Sequence, residues 1–385
     1  MRVSKLLIGG ILLCLTGCID PFRPDIRETQ NLLVVNGIVS DTPGMHYVEI
    51  TRSSPYNQPA YIPVPGCVVR VENDQGGGVT YEEIGKGWYG ANLEPPFLGL
   101  SRSYRLLVFT PEGKEYQSDY EPLLPCPRLD SLYFEIEHQE TDDPLRSYYG
   151  IRFLVDVKPE AGATRNVLWK LVETYEYHST WVIQYIWDGK ELTEFRPPID
   201  SLYTCFKTGS IRQLFAASTR DLVRNELDHY PLNYVSNQTG RLLYKYSLLV
   251  SQYSLSDDAF TYWETVKKQT NETGGLYETQ PAVARGNIYN PDDPGELVLG
   301  YFFASQIRER RILVENHFDF PIPHYTCIPD TANSTAELGN NFYYMVSLDP
   351  LTAVGPPYIY GHLYCFDCTM FGGTTTRPDY WDQDE

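Results

Sequence analysis

Residues 32–39 read Leu-Leu-Val-Val-Asn-Gly-Ile-Val, and Thr42-Pro43-Gly44 follows at once. A run this short, rich in β-branched residues and closed by a turn signal, reads as a buried strand and not a helix. Working outward, similar runs recur at 46–53, 66–73, 79–84, 87–93, 103–110 and 114–120. Gly76-Gly77-Gly78, Gly85-Lys86-Gly87 and Glu112-Gly113 separate them at hairpin spacing. Seven short strands punctuated by turns predict an immunoglobulin-like β-sandwich over residues 32–125. Pro122-Leu-Leu-Pro-Cys-Pro127 then reads as a boundary.

Residues 128–385 read as a larger, β-rich second domain with two short helices. Its clearest hairpin is Trp181–Trp187, the Asp188-Gly189 turn and Lys190–Phe195. Residues 148–157, 167–178 and 242–254 read as further strands. A helix is predicted over 210–227 from Ile211, Leu214, Phe215, Leu222 and Leu227, with Ser210 as cap. Another is predicted over 257–270, with Ser256 as N-cap, Asp257 and Asp258 facing the dipole, and Ala259, Tyr262, Trp263 and Val266 as its apolar stripe. Composition agrees with a mainly β protein. Tyr occurs 31 times against 4 Met, beside 29 Gly and 28 Pro, a mixture that favours strands and turns.

The chain carries 50 acidic and 31 basic residues, a net charge of −19. No basic field exists to neutralise phosphates, so nucleic acid is not an expected partner.

The N-terminus supplies an address. Arg2 and Lys5 precede the apolar run Leu6–Leu15, which ends in Leu15-Thr16-Gly17-Cys18. Ten apolar residues reach about 15 Å as a helix, half of a hydrocarbon core, so the run reads as an export signal and not a span. Its end resembles a bacterial lipobox. On that reading residues 1–17 are removed, Cys18 is acylated, and residues 18–31 form a tether. Two or three acyl chains anchor a protein stably where one does not. Losing Arg2 and Lys5 takes the charge from −19 to −21.

Six cysteines remain: Cys67, Cys126, Cys205, Cys327, Cys365 and Cys368. An even number in an exported chain makes all six disulfide candidates. Cys67 and Cys126 are expected to pair, since both fall in or beside the first domain, and the other four to pair among themselves. Cys365-Phe-Asp-Cys368 has redox spacing, but turn-like aromatic sequence flanks it and a structural disulfide is the expected use.

Other chemistry is sparse. Glu176 and His178 share one face of a strand, with Glu173 on the other. Asn287, Asn290, Asp292, Asp293 and Glu296 make an oxygen-rich loop whose spacing does not fit an EF-hand. No nucleophile elbow, zincin helix, phosphate loop or dinucleotide fingerprint occurs, so neither catalysis nor a cofactor is expected, and no metal site is assigned. Abundant Tyr and Trp on a β scaffold suit contact with partners or ligands.

Several stretches together resemble one family. They are the lipobox, Leu33-Val-Val-Asn-Gly37, Pro127-Arg-Leu-Asp-Ser-Leu132 and Tyr246-Ser-Leu-Leu-Val250. Ala259-Phe-Thr-Tyr-Trp263, Gly275-Leu-Tyr-Glu-Thr-Gln-Pro281, Gly286-Asn-Ile288 and Val298-Leu-Gly-Tyr-Phe302 follow in order. The set is similar to domain-of-unknown-function family 4249, lipoproteins of Bacteroidota. The resemblance implies an outer-membrane lipoprotein encoded beside a TonB-dependent transporter and carries over no catalytic residue; a surface-exposed placement is expected over a periplasm-facing one. The expected role is therefore a noncatalytic accessory or substrate-capturing partner of such a transporter, with the small ligand open. The alternatives are a surface hydrolase acting on glycan or peptide, and a structural or adhesive surface lipoprotein.

Overall fold

A computed structural model describes residues 31–55, 58–140, 147–271, 284–324, 326–347 and 358–382. The export signal, Cys18 and most of the tether lie outside the described residues, as does Gly275–Pro281. The protein is mainly β.

The first unit is built from β1 (Leu33–Ser40), β2 (Gly44–Arg52), β3 (Ile62–Pro63), β4 (Val68–Asn73), β5 (Gly78–Gly85), β6 (Trp88–Leu93), β7 (Ser103–Phe109), β8 (Glu115–Ser118) and β9 (Glu121–Pro122). Two later strands complete its sheet. They are β18 (Ile288–Tyr289), antiparallel to β8, and β19 (Phe302–Ser305), parallel to β1. The main path runs β18-β8-β7-β4-β5-β6-β2-β1-β19, and β5 pairs with both β4 and β6, carrying the sheet from one layer to the other. Alternation along β1 explains its placement. Leu33, Val35 and Val39 are buried in the core with Ile50, Val69, Val71, Tyr89, Leu106 and Val108, while Asn36 faces outward. The sandwich proposed over 32–125 is therefore finished by chain from beyond residue 285.

The second unit contains β10 (Arg128–Glu140), β11 (Ser147–Lys158), β12 (Asn166–His178), β15 (Thr204–Ser218), β16 (Leu227–Ser236), β17 (Lys245–Leu255) and β20 (Ile307–Glu315). A three-stranded sheet, β10-β11-β16, faces a four-stranded one, β15-β12-β17-β20. Ile151, Phe153, Val155, Trp169, Leu171, Tyr246, Leu248 and Val250 fill the space between them. Helix α1 (Asp257–Asn271) lies against the outer face of the four-stranded sheet. Ser256 caps it as expected: its hydroxyl accepts from the Ala259 N–H at 3.1 Å.

A third sheet, β14-β13-β22-β23-β21, is formed by β13 (Ile183–Trp187), β14 (Leu192–Ile199), β21 (Asp330–Ala332), β22 (Tyr343–Ser347) and β23 (Tyr358–Gly361), beside the one-turn helix α2 (Thr335–Leu338). The Asp188-Gly189 turn closes its hairpin. Asp188 Oδ1 accepts from Lys190 N and Glu191 N at 2.8 and 2.7 Å, and Gly189 takes a φ of +93°.

Two expectations are corrected. Residues 210–227 are not a helix. Thr204–Ser218 is a fifteen-residue strand paired with β12 from His178↔Thr204 to Asn166↔Ser218. Consecutive Phe215, Ala216 and Ala217 are all buried, as a strand enclosed on both faces requires, while Leu222 and Val223 stand exposed in the turn beyond. Cys67 and Cys126 do not pair; both are free and buried. Cys67 sits in the first core, where its N–H donates to Tyr89 Oη at 3.0 Å. Cys126 lies at the junction with the second unit, its N–H bonded to Gln306 and its sulfur contacted by Gln252. Burial pushes the Cys126 thiol up to about 12, so neither position resembles an activated thiolate. The other four form Cys205–Cys368 and Cys327–Cys365, so Cys365 and Cys368 each bind a distant cysteine.

Candidate functional site

Where the outer faces of β1 and β2 approach α1 and the four-stranded sheet, a recess of about 910 Å³ opens. That volume lies in the upper part of the roughly 300–1,000 Å³ range of small-molecule sites. Strand alternation builds one wall: Val34, Asn36 and Ile38 project from β1, and Met45, Tyr47 and Glu49 from β2. Helical spacing builds the other, with Tyr262, Trp263, Val266 and Gln269 on α1. Tyr301 and Phe303 bridge the two. Tyr262 lies 4.7 Å from Tyr301, Trp263 6.0 Å from Phe303, and Tyr47 meets Trp88 edge-on at 6.4 Å, all ring centroids. Such spacings suit aromatic packing and leave ring faces for a ligand.

Lys170, from β12, projects into this aromatic setting. Its Nζ stands 5.2 Å from the Tyr253 ring and 5.9 Å from those of Trp263 and Phe303. Solvent still reaches the side chain through the recess it lines, but close protein on the other sides desolvates the ammonium and lowers its pKa. The rings compensate in part, since a cation over a π face gains about 0.5–2 kcal/mol.

A serine–histidine pair also borders the recess, and sequence spacing did not reveal it. Ser40 Oγ lies 2.9 Å from His46 Nε2, and His46 Nδ1 3.0 Å from the Gly44 carbonyl. The carbonyl only accepts, so Nδ1 carries a proton and Nε2 is placed to accept the serine hydroxyl. Asp41 N–H, the amide next to Ser40, donates to Ser305 O at 3.2 Å and is not available to an oxyanion. The pair ties the ends of the β1–β2 hairpin together.

The sequence-derived candidates lie elsewhere. Glu176 and His178 do meet, at 2.8 Å, and Trp381 Nε1 donates to the second carboxylate oxygen at 3.1 Å. Tyr244 stacks on His178 at 3.7 Å. These bonds hold the Glu176 carboxyl below the usual range, the His178 contact foremost. Glu173 instead accepts two bonds from Arg241, at 2.9 and 2.7 Å, and one from Tyr246 at 2.7 Å. The oxygen-rich loop is spent on protein donors: Asn290 and Lys114 reach Glu296 at 2.8 Å, and Asn287 bonds both backbone groups of Phe302. No cluster of three metal-ligating side chains occurs among the described residues.

Beside the recess, Glu121 joins the two units. Its carboxylate accepts from Tyr301 Oη at 2.5 Å, Ser256 Oγ at 2.8 Å and Asn287 Nδ2 at 3.2 Å. Burial nevertheless raises its pKa, outweighing those three donors. A folded pKa above the unfolded value of about 4.3 means the native state holds the proton more tightly. This contribution is complete below pH ~4.3 and is lost as pH rises through the raised folded value. Glu121→Gln is therefore expected to match wild type in denaturant midpoint near pH 4 and to exceed it progressively towards pH 8. A constant difference across that range overturns the assignment.

Residues 19–311 match the family described as Domain of unknown function (DUF4249). The chain belongs to the DUF4249 family. Both walls of the recess fall inside the matched span, so the site belongs to the DUF4249 part of the chain. No curated protein matches the chain. Among solved structures, trypsin-activated alpha-2-macroglobulin from Escherichia coli aligns at 8% identity and a TM-score of 0.18, over 59% of this chain and 14% of its own. A likeness so slight informs neither fold nor function of this DUF4249 protein.

Proposed function

We propose that this DUF4249 protein is a noncatalytic, lipid-anchored capture protein of the outer membrane, acting beside a TonB-dependent transporter. The observation that carries the capture role is the 910 Å³ aromatic recess between the two units. Its polar side chains are few and mostly committed to the fold. Asn36 lines it from β1, while Ser40 and His46 bond to each other. That makeup suits binding better than bond cleavage. Acylation of Cys18 supplies the anchor. Confinement to one bilayer raises the effective concentration beside a transporter, so weak contact suffices.

Fractionation and mild crosslinking test the reading. Wild-type protein is expected to sediment with membranes and to crosslink to a transporter. Cys18→Ser is expected to move most of the protein to the soluble fraction and to lose the crosslink. Sedimentation unchanged by Cys18→Ser, or immunoprecipitates that hold no transporter, overturns the reading.

A further inference from the structure

Among the described residues, Lys170 is the only lysine or arginine lining the recess, and it has there neither an ion-pair partner nor a hydrogen bond from Nζ. Several other basic side chains that reach into the structure meet acids in this chain of net charge −19. Arg105 pairs with Glu72 at 2.9 Å, Arg152 with Glu137 at 2.8 Å and Arg241 with Glu173 at 2.7 Å. Glu49, the one acid lining the recess among the described residues, accepts a hydrogen bond from Tyr61 at 3.0 Å. Three aromatic rings attract the ammonium but accept no strong hydrogen bond, so its N–H donors stay open to the solvent and ligands of the recess. A cation set among rings in a recess, with low-dielectric protein beside it, binds an anion more strongly than one on an open surface does.

We propose that the recess takes a small amphipathic carboxylate, its carboxylate on Lys170 Nζ and its ring or branched apolar body among Tyr47, Trp88, Tyr262 and Phe303. The assignment rests on the capture role above and names the ligand's class. A carboxylate supplies a counter-charge and accepts from the Nζ donors. An apolar body fills ring-lined space at a gain of about 25 cal/mol per Å² buried. A neutral apolar molecule gains only the second term. A cation meets Lys170 with like charge.

The test uses the intact protein in lipid nanodiscs, with empty nanodiscs as blank, titrated calorimetrically with 2-naphthylacetate and with its neutral amide. The acid is expected to bind at least tenfold more tightly than the amide. Lys170→Gln is expected to abolish this preference by weakening the acid while leaving amide binding unchanged, and Lys170→Arg to retain it. Equal binding of acid and amide to wild type overturns the charge assignment and leaves the capture role standing. Binding of neither probe overturns both. Should Lys170→Gln fail to fold by circular dichroism, the wild-type acid-to-amide ratio alone decides.

Discussion

Gly300→Ala is expected to destabilise the protein by about 3–5 kcal/mol, among the largest effects of any single substitution here. Two penalties combine at this position. Gly300 has a φ of +93°, in the left-handed region that residues with a Cβ disfavour. A Cβ built there also runs into the backbone carbonyl of Val35, which no side-chain rotation relieves. The close approach follows from the strand pairing on either side. Val35 N donates to Leu299 O at 2.9 Å, Leu299 N to Leu33 O at 2.8 Å, and Gly37 N to Tyr301 O at 3.2 Å. Making room for a methyl group means opening that ladder, and with it the parallel contact between β1 and β19.

The same change reaches the recess, because Tyr301 and Phe303 follow Gly300 directly and form the bridge between its walls. Gly300→Ala is thus expected to lose 2-naphthylacetate binding as well as stability. Gly209→Ala is the control. That glycine lies in β15 with no atom within 4 Å of its notional Cβ and no positive φ, so a change within about 0.5 kcal/mol is expected. Denaturant midpoints at constant m-value report both variants. A Gly300→Ala protein as stable as Gly209→Ala overturns the account of how the first unit is closed.

Local signals carried much of this fold and little of its site. Strands β1, β2 and β4–β8 were legible because each hairpin has its own turn chemistry and alternation, whereas the two-residue β3 and β9 carry too little pattern to be read. The return of β18 and β19 to the first sheet was not. They are two and four residues long, and nothing within Val298–Ala304 names β1 as its partner across more than 260 residues of chain. Residues 210–218 misled because Ile211 and Phe215 fall four apart, a helical spacing that pairing with β12 overrides. Glu176 and His178 were read correctly as neighbours because strand geometry is local. The recess depends on residues from 34 to 307 and has no local signature. One clue was present in Val167-Leu-Trp-Lys-Leu-Val172, where a single charge interrupts a run otherwise buried on both faces. Leu168 packs toward α1 while Trp169 enters the sandwich core, and Lys170 returns to the side of Leu168.

Cys205→Ser/Cys368→Ser is expected to cost about 2–5 kcal/mol and to leave the C-terminal segment beyond Cys365 with no covalent tie to β15. The bond joins residues 163 apart, and the entropy a cross-link removes from the unfolded chain grows with that separation. Cys327–Cys365 spans 38 residues, so its removal is expected to cost about 1 kcal/mol less. What the longer bond secures is a strap, residues 366–382, which leaves the Cys327–Cys365 bond and is laid over the ends of β12 and β15. Phe206 and Thr374 exchange backbone bonds at 2.8 and 3.0 Å, and Lys207 Nζ donates to Phe371 O at 2.8 Å. Arg311 lies 3.5 Å above the Tyr380 ring, and Trp381 is fully buried against Phe206. These contacts act together only while the strap is docked. Without the disulfide, docking must repay the ordering of roughly seventeen residues at about 1–2 kcal/mol each. The strap is therefore expected to undock as a unit before the sandwiches unfold. Limited proteolysis should cut the double variant within 366–382 first, and Trp381 emission should shift to the red at denaturant concentrations that leave the remaining β-sheet signal unchanged. Coincident loss of both signals at the wild-type midpoint would mean that side-chain contacts alone hold the strap, and that the bond between Cys205 and Cys368 is incidental to the native state.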